Sequence, residues 1–239
     1  MNSRRYPKSV NSATHKLTNS QTQEVMKLPS AIFFDLDDTI IAFGAVAVPV
    51  WRELCENYEQ QIGKLRAQQL LDAIRKTSRW YWSDKDRHRN GRLNMEHARR
   101  QIVRQAFAEL GNTDVLDAYT IADQYSIERT NRVGLFPGAK ETLHTLKDRG
   151  VRLALITNGE AAGQNAKIDR FHLRPYFEHI FVEGEVGFGK PELRIYQLAM
   201  NTMQVAPQEV WMVGDNLEWE VGVPQQLGIY SIWNDWRGK

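Results

Sequence analysis

The sequence predicts an α/β protein, a doubly wound parallel sheet interrupted by an inserted all-helical subdomain. Three observations lead there. Short apolar runs of strand length recur along the chain, amphipathic helical stretches alternate with them, and one long interval is helical throughout.

The first run, Ala31-Ile32-Phe33-Phe34, follows Pro29-Ser30 and ends at Asp35. Four consecutive apolar residues suit a strand buried on both faces of a parallel sheet. Comparable runs lie at residues 151–156, 179–182, 210–213 and 228–233, with helical patterns at 137–148, 161–171, 192–203 and 217–227 between them. Strands alternating with helices imply right-handed βαβ crossovers and a Rossmann-like, doubly wound arrangement. The interval 45–133 breaks the alternation. Leu65, Leu70, Leu71 and Ile74 fall at helical spacing, as do Ile102, Val103, Ala106, Phe107 and Leu110. The division that follows is a core from residues 30–44 and 134–239, a helical insertion over 45–133, and a preceding tail.

That tail, residues 1–29, carries Arg4, Arg5, Lys8, Lys16 and Lys27 among Ser, Thr, Asn and Gln, with Glu24 as its sole acid. Its composition predicts disorder. The whole chain has 239 residues and a formal net charge of +2, so no strong field points to nucleic acid or an anionic membrane. No apolar stretch reaches the ~20 residues of a membrane span. The single cysteine, Cys55, excludes an intramolecular disulfide and suits a reducing, cytoplasmic setting.

Ligands of such sheets bind beyond the carboxyl ends of the strands. The positions there are Asp35-Leu36-Asp37-Asp38-Thr39 after the first run, Thr157-Asn158-Gly159 after the second, Gly189-Lys190-Pro191 ahead of the 192–203 helix, and Gly214-Asp215-Asn216 after the fourth. Each also reads as an ordinary turn. Together, in this order, they bring acids, a hydroxyl and a lysine to one edge. Crowded carboxylates call for a hard cation, and Mg2+ takes oxygen ligands, with Asp35 and Asp215 the natural anions. A carboxylate can attack phosphorus, so Asp35 is the candidate nucleophile. Asp37 is placed to protonate a leaving oxygen and then activate water. Thr157 and Lys190 would stabilise charge on the phosphoryl oxygens.

These motifs resemble the haloacid dehalogenase (HAD) superfamily, over residues of about 31 to 233. Its first motif stands here as Asp35-Leu36-Asp37-Asp38-Thr39, its second as Thr157, its third as Lys190 and its fourth as Gly214-Asp215. Phe136-Pro137-Gly138 and Gly189-Lys190-Pro191-Glu192 resemble the subgroup with a helical cap inserted after the first motif. The resemblance implies a magnesium-dependent phosphatase acting on a small phosphorylated metabolite through an aspartyl-phosphate on Asp35. It implies Asp37 as acid/base, a metal held by the Asp35 carboxylate, the Asp37 carbonyl and the Asp215 carboxylate, and Asn158 as a phosphoryl ligand. Where the family commonly has a second aspartate this chain has Glu220, with Glu218 nearby, and neither is assigned to the metal.

The family also contains phosphotransferases and phosphomutases, and a fold kept for binding a phosphorylated ligand without turnover is a further alternative. Asp37 weighs against a dehalogenase, which attacks carbon and protonates no alcohol. In the insertion, residues 80–89 combine Trp80, Tyr81 and Trp82 with charges, and either select a leaving group or anchor two helices. Arg99, Arg100 and Arg104 read as a solvated helical face, and His88 and His97 as ordinary residues without metal-ligand spacing.

Overall fold

The computed structural model describes residues 28–238. Apart from Leu28 and Pro29, the expected disordered tail lies outside the described residues. The chain runs β1 (Ala31–Phe34), α1 (Ala47–Gln61), α2 (Ala67–Ser83), α3 (Lys85–Leu93), α4 (Met95–Glu109), α5 (Val115–Arg132), α6 (Ala139–Asp148) and β2 (Arg152–Thr157). It continues through α7 (Ala161–Arg170), β3 (His179–Val182), the single turn α8 (Glu183–Val186), α9 (Leu193–Met203), β4 (Val210–Gly214), α10 (Val223–Gln226) and β5 (Tyr230–Trp233).

The five strands form one parallel sheet in the order β3-β2-β1-β4-β5. Alternation along β1 divides its side chains between two cores. Ile32 and Phe34 join Leu143 of α6, Leu153 and Leu155 of β2 and Ile168 of α7. Ala31 and Phe33 face Ile195, Tyr196, Ala199 and Met203 of α9. Helices therefore cover both faces, and the strand order reverses beside β1. Phe34 is in register with Leu155 on one side and Val213 on the other, so β1, β2 and β4 release their chains at the same edge.

Helices α1, α2, α4 and α5 pack around a third core, built from Val50, Leu54, Leu70, Ile74, Val103, Phe107, Ala118 and Tyr125 among others. Trp51 stacks on Tyr125 with ring centroids 3.7 Å apart. Cys55 lies in this core, where burial pushes its thiol up to about 12. Among the described residues no helix is long and apolar enough to cross a membrane.

One element differs from the sequence expectation. Residues 217–227 form a π turn over Leu217–Gly222 followed by the short α10, instead of one α-helix. Pro224 is the cause. It has no N–H for the Glu220 carbonyl, and its ring would crowd that carbonyl in a continuous α-helix. The wider turn relieves both conflicts.

Phe33 is fully buried at the centre of the sheet. Phe33→Ala is expected to lower stability by about 3–5 kcal/mol in urea unfolding. Leu116→Gln, on an exposed position of α5, should change it by no more than about 0.5 kcal/mol.

Candidate active site

Lys190 sits at the centre of the site. It follows α8 on the loop into α9, is 1% exposed, and its Nζ lies 2.6 Å from Asp35 Oδ1 and 2.6 Å from Glu220 Oε1. Burial opposes its charge, but the two carboxylates outweigh that, and the ammonium is held more firmly protonated than a free lysine. The Lys190 main chain is clipped to Asn158: Lys190 N donates to Asn158 Oδ1 at 2.8 Å, and Asn158 Nδ2 donates to the Lys190 carbonyl at 2.6 Å. A side chain at Gly189 would overlap Asn158 and Glu183, so the close approach requires glycine there.

Asp35 emerges from β1 with its N–H donating to the Val213 carbonyl at 2.9 Å, which ties it to β4. The residue is 7% exposed, its carboxylate held by Lys190 on Oδ1 and by the Thr39 hydroxyl on Oδ2 at 3.2 Å. Asp215 leaves the adjacent strand at the same edge, and Trp233 Nε1 fixes its main-chain carbonyl at 2.9 Å. Among the described residues nothing donates a hydrogen bond to the Asp215 carboxylate. Burial, then the charges of Asp35 and Asp38, push this carboxyl up to about 6.

Glu220, from the π turn, is the residue the sequence reading left unassigned. It is 1% exposed, spans Lys190 and the Asn216 N–H (2.8 Å to Oε2), and burial and Asp35 raise its pKa against the pull of Lys190. Its side chain lies where a Cβ on residue 214 would stand, so Gly214 is what lets the acid fold back over β4. Glu218 is exposed and outside the cluster.

Asp37 and Thr157 meet on the other side. Lys167 Nζ of α7 lies 2.7 and 2.5 Å from the two Asp37 carboxylate oxygens. The Gln164 side-chain nitrogen sits 2.6 Å from Thr157 Oγ1, 2.5 Å from the Asn158 carbonyl and 3.1 Å from Asp37 Oδ2. Gln164 donates to the Thr157 oxygen, which leaves the hydroxyl proton available for an incoming acceptor. No motif marks Lys167 and Gln164 in the sequence. Their spacing of three on α7 placed them on one helical face, but nothing local told which face met Asp37. The Asn158 side chain, expected on the phosphoryl group, is committed here to the Lys190 main chain.

The helical subdomain closes over this edge. Arg92 of α3 donates from Nε and Nη2 to Glu183, both at 2.6 Å, and Glu183 also accepts the Gly159 N–H at 3.0 Å. His88 sits edge-on to both Trp82 and Trp219. A cavity of about 650 Å³ lies between the two parts, with Asp37, Asn158, Gln164 and Lys167 on the sheet side. Arg99 and Arg100 line its other wall, so the expectation of a solvated face holds only for exposed Arg104. Arg100 is taken up in ion pairs and Arg99 packs on Tyr125, because the α4 face that carries them is turned to α5 and the cavity.

The donors expected for a metal are two carboxylates and one carbonyl. Among the described residues no three His, Cys, Asp or Glu side chains cluster to hold an ion, and the expected set needs only two such side chains. Asp35 and Asp215 repel each other and Asp215 lacks a donor, which fits a hard divalent cation that accepts oxygen ligands.

A family model described as haloacid dehalogenase-like hydrolase matches residues 29–228. Phosphoserine phosphatase from Thermus thermophilus is 35% identical over 137 residues, 57% of this chain and about half (54%) of that protein. Glyceraldehyde 3-phosphate phosphatase from Pyrococcus furiosus is 26% identical over 87% of this chain and 81% of its own length. Among solved structures, the putative HAD-hydrolase YfnB from Bacillus subtilis, bound to magnesium, superposes with a TM-score of 0.66 at 22% identity, covering 87% of each chain. A 2-haloacid dehalogenase from Pseudomonas syringae reaches 0.57 at 24% identity over 89% of each chain, so the fold by itself does not separate the two chemistries.

The raised Asp215 pKa has a stability consequence. Its folded value, about 6, lies above the unfolded value of about 3.9. The group's contribution is therefore full below about pH 3.9 and lost as pH rises through about 6. Asp215→Asn should stabilise the metal-free protein at pH 8 by roughly 1 kcal/mol, after allowing for screening by water, and by nothing at pH 4. Urea unfolding in the presence of chelator measures this, and destabilisation at pH 8 would contradict the crowding of acids described here.

Proposed function

The chain belongs to the haloacid dehalogenase-like hydrolases, and we propose that within this family it is a magnesium-dependent phosphatase acting on a small phosphate monoester. The observation that carries the reading is the convergence of Asp35, Lys190, Thr157, Asp37 and Asp215 at one sheet edge, with Lys190 Nζ 2.6 Å from the Asp35 carboxylate. The phosphatase relatives support it.

The Asp35 carboxylate attacks phosphorus while the bond from phosphorus to the leaving oxygen breaks, and Asp37 gives that oxygen its proton. The product of this step is an aspartyl-phosphate on Asp35. Asp37 then takes a proton from water as the water oxygen attacks phosphorus. Inorganic phosphate and free Asp35 result, and splitting the displacement in two lowers each barrier. Lys190 and the Thr157 hydroxyl stabilise charge on the phosphoryl oxygens. Lys167 holds Asp37 at the cavity wall, so the proton transfer requires Asp37 to exchange that contact for the leaving oxygen. The Asp35 and Asp215 carboxylates with the Asp37 carbonyl would hold Mg2+, which when bound offsets negative charge on carboxylates and phosphoryl group. Asn158 acts through Lys190, whose backbone it positions. The helical subdomain acts as a cap over the leaving group, and the reading is of a cytoplasmic enzyme of small metabolites.

Asp37 favours this reading over a dehalogenase, since carbon–halogen cleavage releases no alkoxide that needs a proton. Purified protein with Mg2+ is expected to hydrolyse p-nitrophenyl phosphate or a member of a phosphate-ester panel. Chelator should abolish the activity, Asp35→Asn should reduce kcat by about a thousandfold or more, and Asp37→Asn by about 10²–10⁴-fold. Beryllium fluoride with Mg2+ should raise the Tm of the wild type and not of Asp35→Asn. A wild type that cleaves nothing, with no such stabilisation, would refute the proposal.

A further inference from the structure

The cavity beside the site contains a cation that the protein does not neutralise. Arg99 and Arg100 are neighbours on α4 and line the same cavity. Arg100 donates to Asp123 from Nε at 2.8 Å and Nη2 at 2.6 Å, and its Nη1 pairs with Glu96 at 2.5 Å. Arg99 has neither a carboxylate partner nor a hydrogen-bond acceptor among the described residues. Its guanidinium lies over the Tyr125 ring, 5.4 Å from the centroid, and Arg129 lies 5.7 Å from that same ring. Burial, then the charge of Arg129, pulls Arg99 down to about 10, which leaves it charged at neutral pH.

A half-buried cation without an anion is a cost to folding. The acids lining the cavity do not relieve it: Glu96 and Asp123 are spent on Arg100, Asp37 on Lys167, and Glu160 is exposed to water and makes no ion pair with Arg99. Across the cavity, Lys167 is matched by Asp37 and Arg92 by Glu183. The wall opposite Arg99 therefore carries the acid that serves the leaving oxygen, and the space between is where a leaving group would sit. A guanidinium offers paired donors that suit a carboxylate or phosphate.

We propose that Arg99 is a specificity-determining residue that binds a second anionic group, carboxylate or phosphate, on the leaving group. The preferred substrates are then small phosphorylated acids or bisphosphates, in preference to uncharged alcohol or sugar phosphates. The proposal rests on the phosphatase reading above.

A matched three-carbon set tests it: glycerol 3-phosphate, 3-phosphoglycerate and propane-1,3-diol bisphosphate. With wild type, kcat/KM for at least one of the two esters that carry a second anionic group should exceed that for glycerol 3-phosphate tenfold or more, and which one does so identifies the group. Arg99→Ala and Arg99→Gln should each cut that ratio tenfold or more, with Arg99→Lys retaining part of it. Arg99→Gln, which keeps most of the side chain's bulk, covers the case in which Arg99→Ala loosens the helical subdomain. Calorimetric binding of the same three compounds to Asp35→Asn, with and without Arg99→Gln, reads the preference without turnover. Arg99-dependent anion preference in binding with no hydrolysis by wild type overturns the phosphatase reading and leaves this one standing. Hydrolysis or binding with no Arg99-dependent preference overturns this one alone, as does a loss of stability in Arg99→Gln with the ratio intact.

Discussion

The geometry of the site depends on one buried ammonium. Lys190 Nζ is wedged between Asp35 and Glu220 at 2.6 Å from each, in a place water scarcely reaches. Removing one partner of such a pair typically costs about 3–5 kcal/mol, because the remaining charge stays buried and unmatched. The cluster is also unbalanced. Asp38 is paired with Arg237 and Asp37 with Lys167, which leaves Asp35, Glu220 and Asp215 against the single charge of Lys190. The surplus negative charge falls where Asp35 and Asp215 repel each other at the strand ends. That is where a divalent cation relieves the most repulsion, and the raised pKa of Asp215 reflects the same strain.

Backbone features far apart in sequence hold this arrangement. The parallel register brings Asp35 and Asp215 to the edge together, since neighbouring strands in register must end at the same height. Pro224 forces the π turn that carries Glu220, and Gly214 leaves room for the Glu220 side chain over the strand end. Asn158, just past β2, clips the Lys190 main chain by two hydrogen bonds. Asp35 and Glu220 thus hold the Lys190 Nζ while Asn158 holds its main chain. The strain of gathering acids there is tolerated because the sheet that presents them is closed on both faces by helices.

The parts of this that were legible in the sequence are those that strand ends dictate. Asp35, Thr157 and Asp215 each terminate an apolar run, and a parallel sheet leaves such residues no other place to go. The helical character of the 45–133 interval was equally plain from spacing. Glu220 was visible only as a carboxylate at a suggestive distance. Its inward direction comes from the π turn, and the proline that causes the turn reads as ordinary helix punctuation. Lys167, Gln164 and the Arg92–Glu183 pair were not legible, because helical periodicity identifies a face without saying what opposes it. Arg99 misled for the same reason. Three arginines within six positions look like a solvated face, yet only Arg104 points to water, while α5 and the cavity claim the other two.

The two parts of the molecule are joined by contacts of a different kind from those inside the site. Arg92 and Glu183 form a bidentate pair across the boundary, with Arg92 11% and Glu183 1% exposed. If α3 moved away, Arg92 would gain water, and Glu183 would keep the Gly159 N–H as a donor. Water entering the parted boundary would solvate both groups, so parting costs less here than the loss of either partner of Lys190. The Arg170 contacts to the carbonyls of Thr130 and Asn131 are polar as well, and an exposed arginine exchanges them readily for water. Chemistry that tolerates little displacement is thus built on strand ends within a doubly covered sheet. The cavity wall bearing Arg99 rides on helices with a core of their own, attached by bonds that water can replace. That softer boundary can open without disturbing the ammonium that holds Asp35.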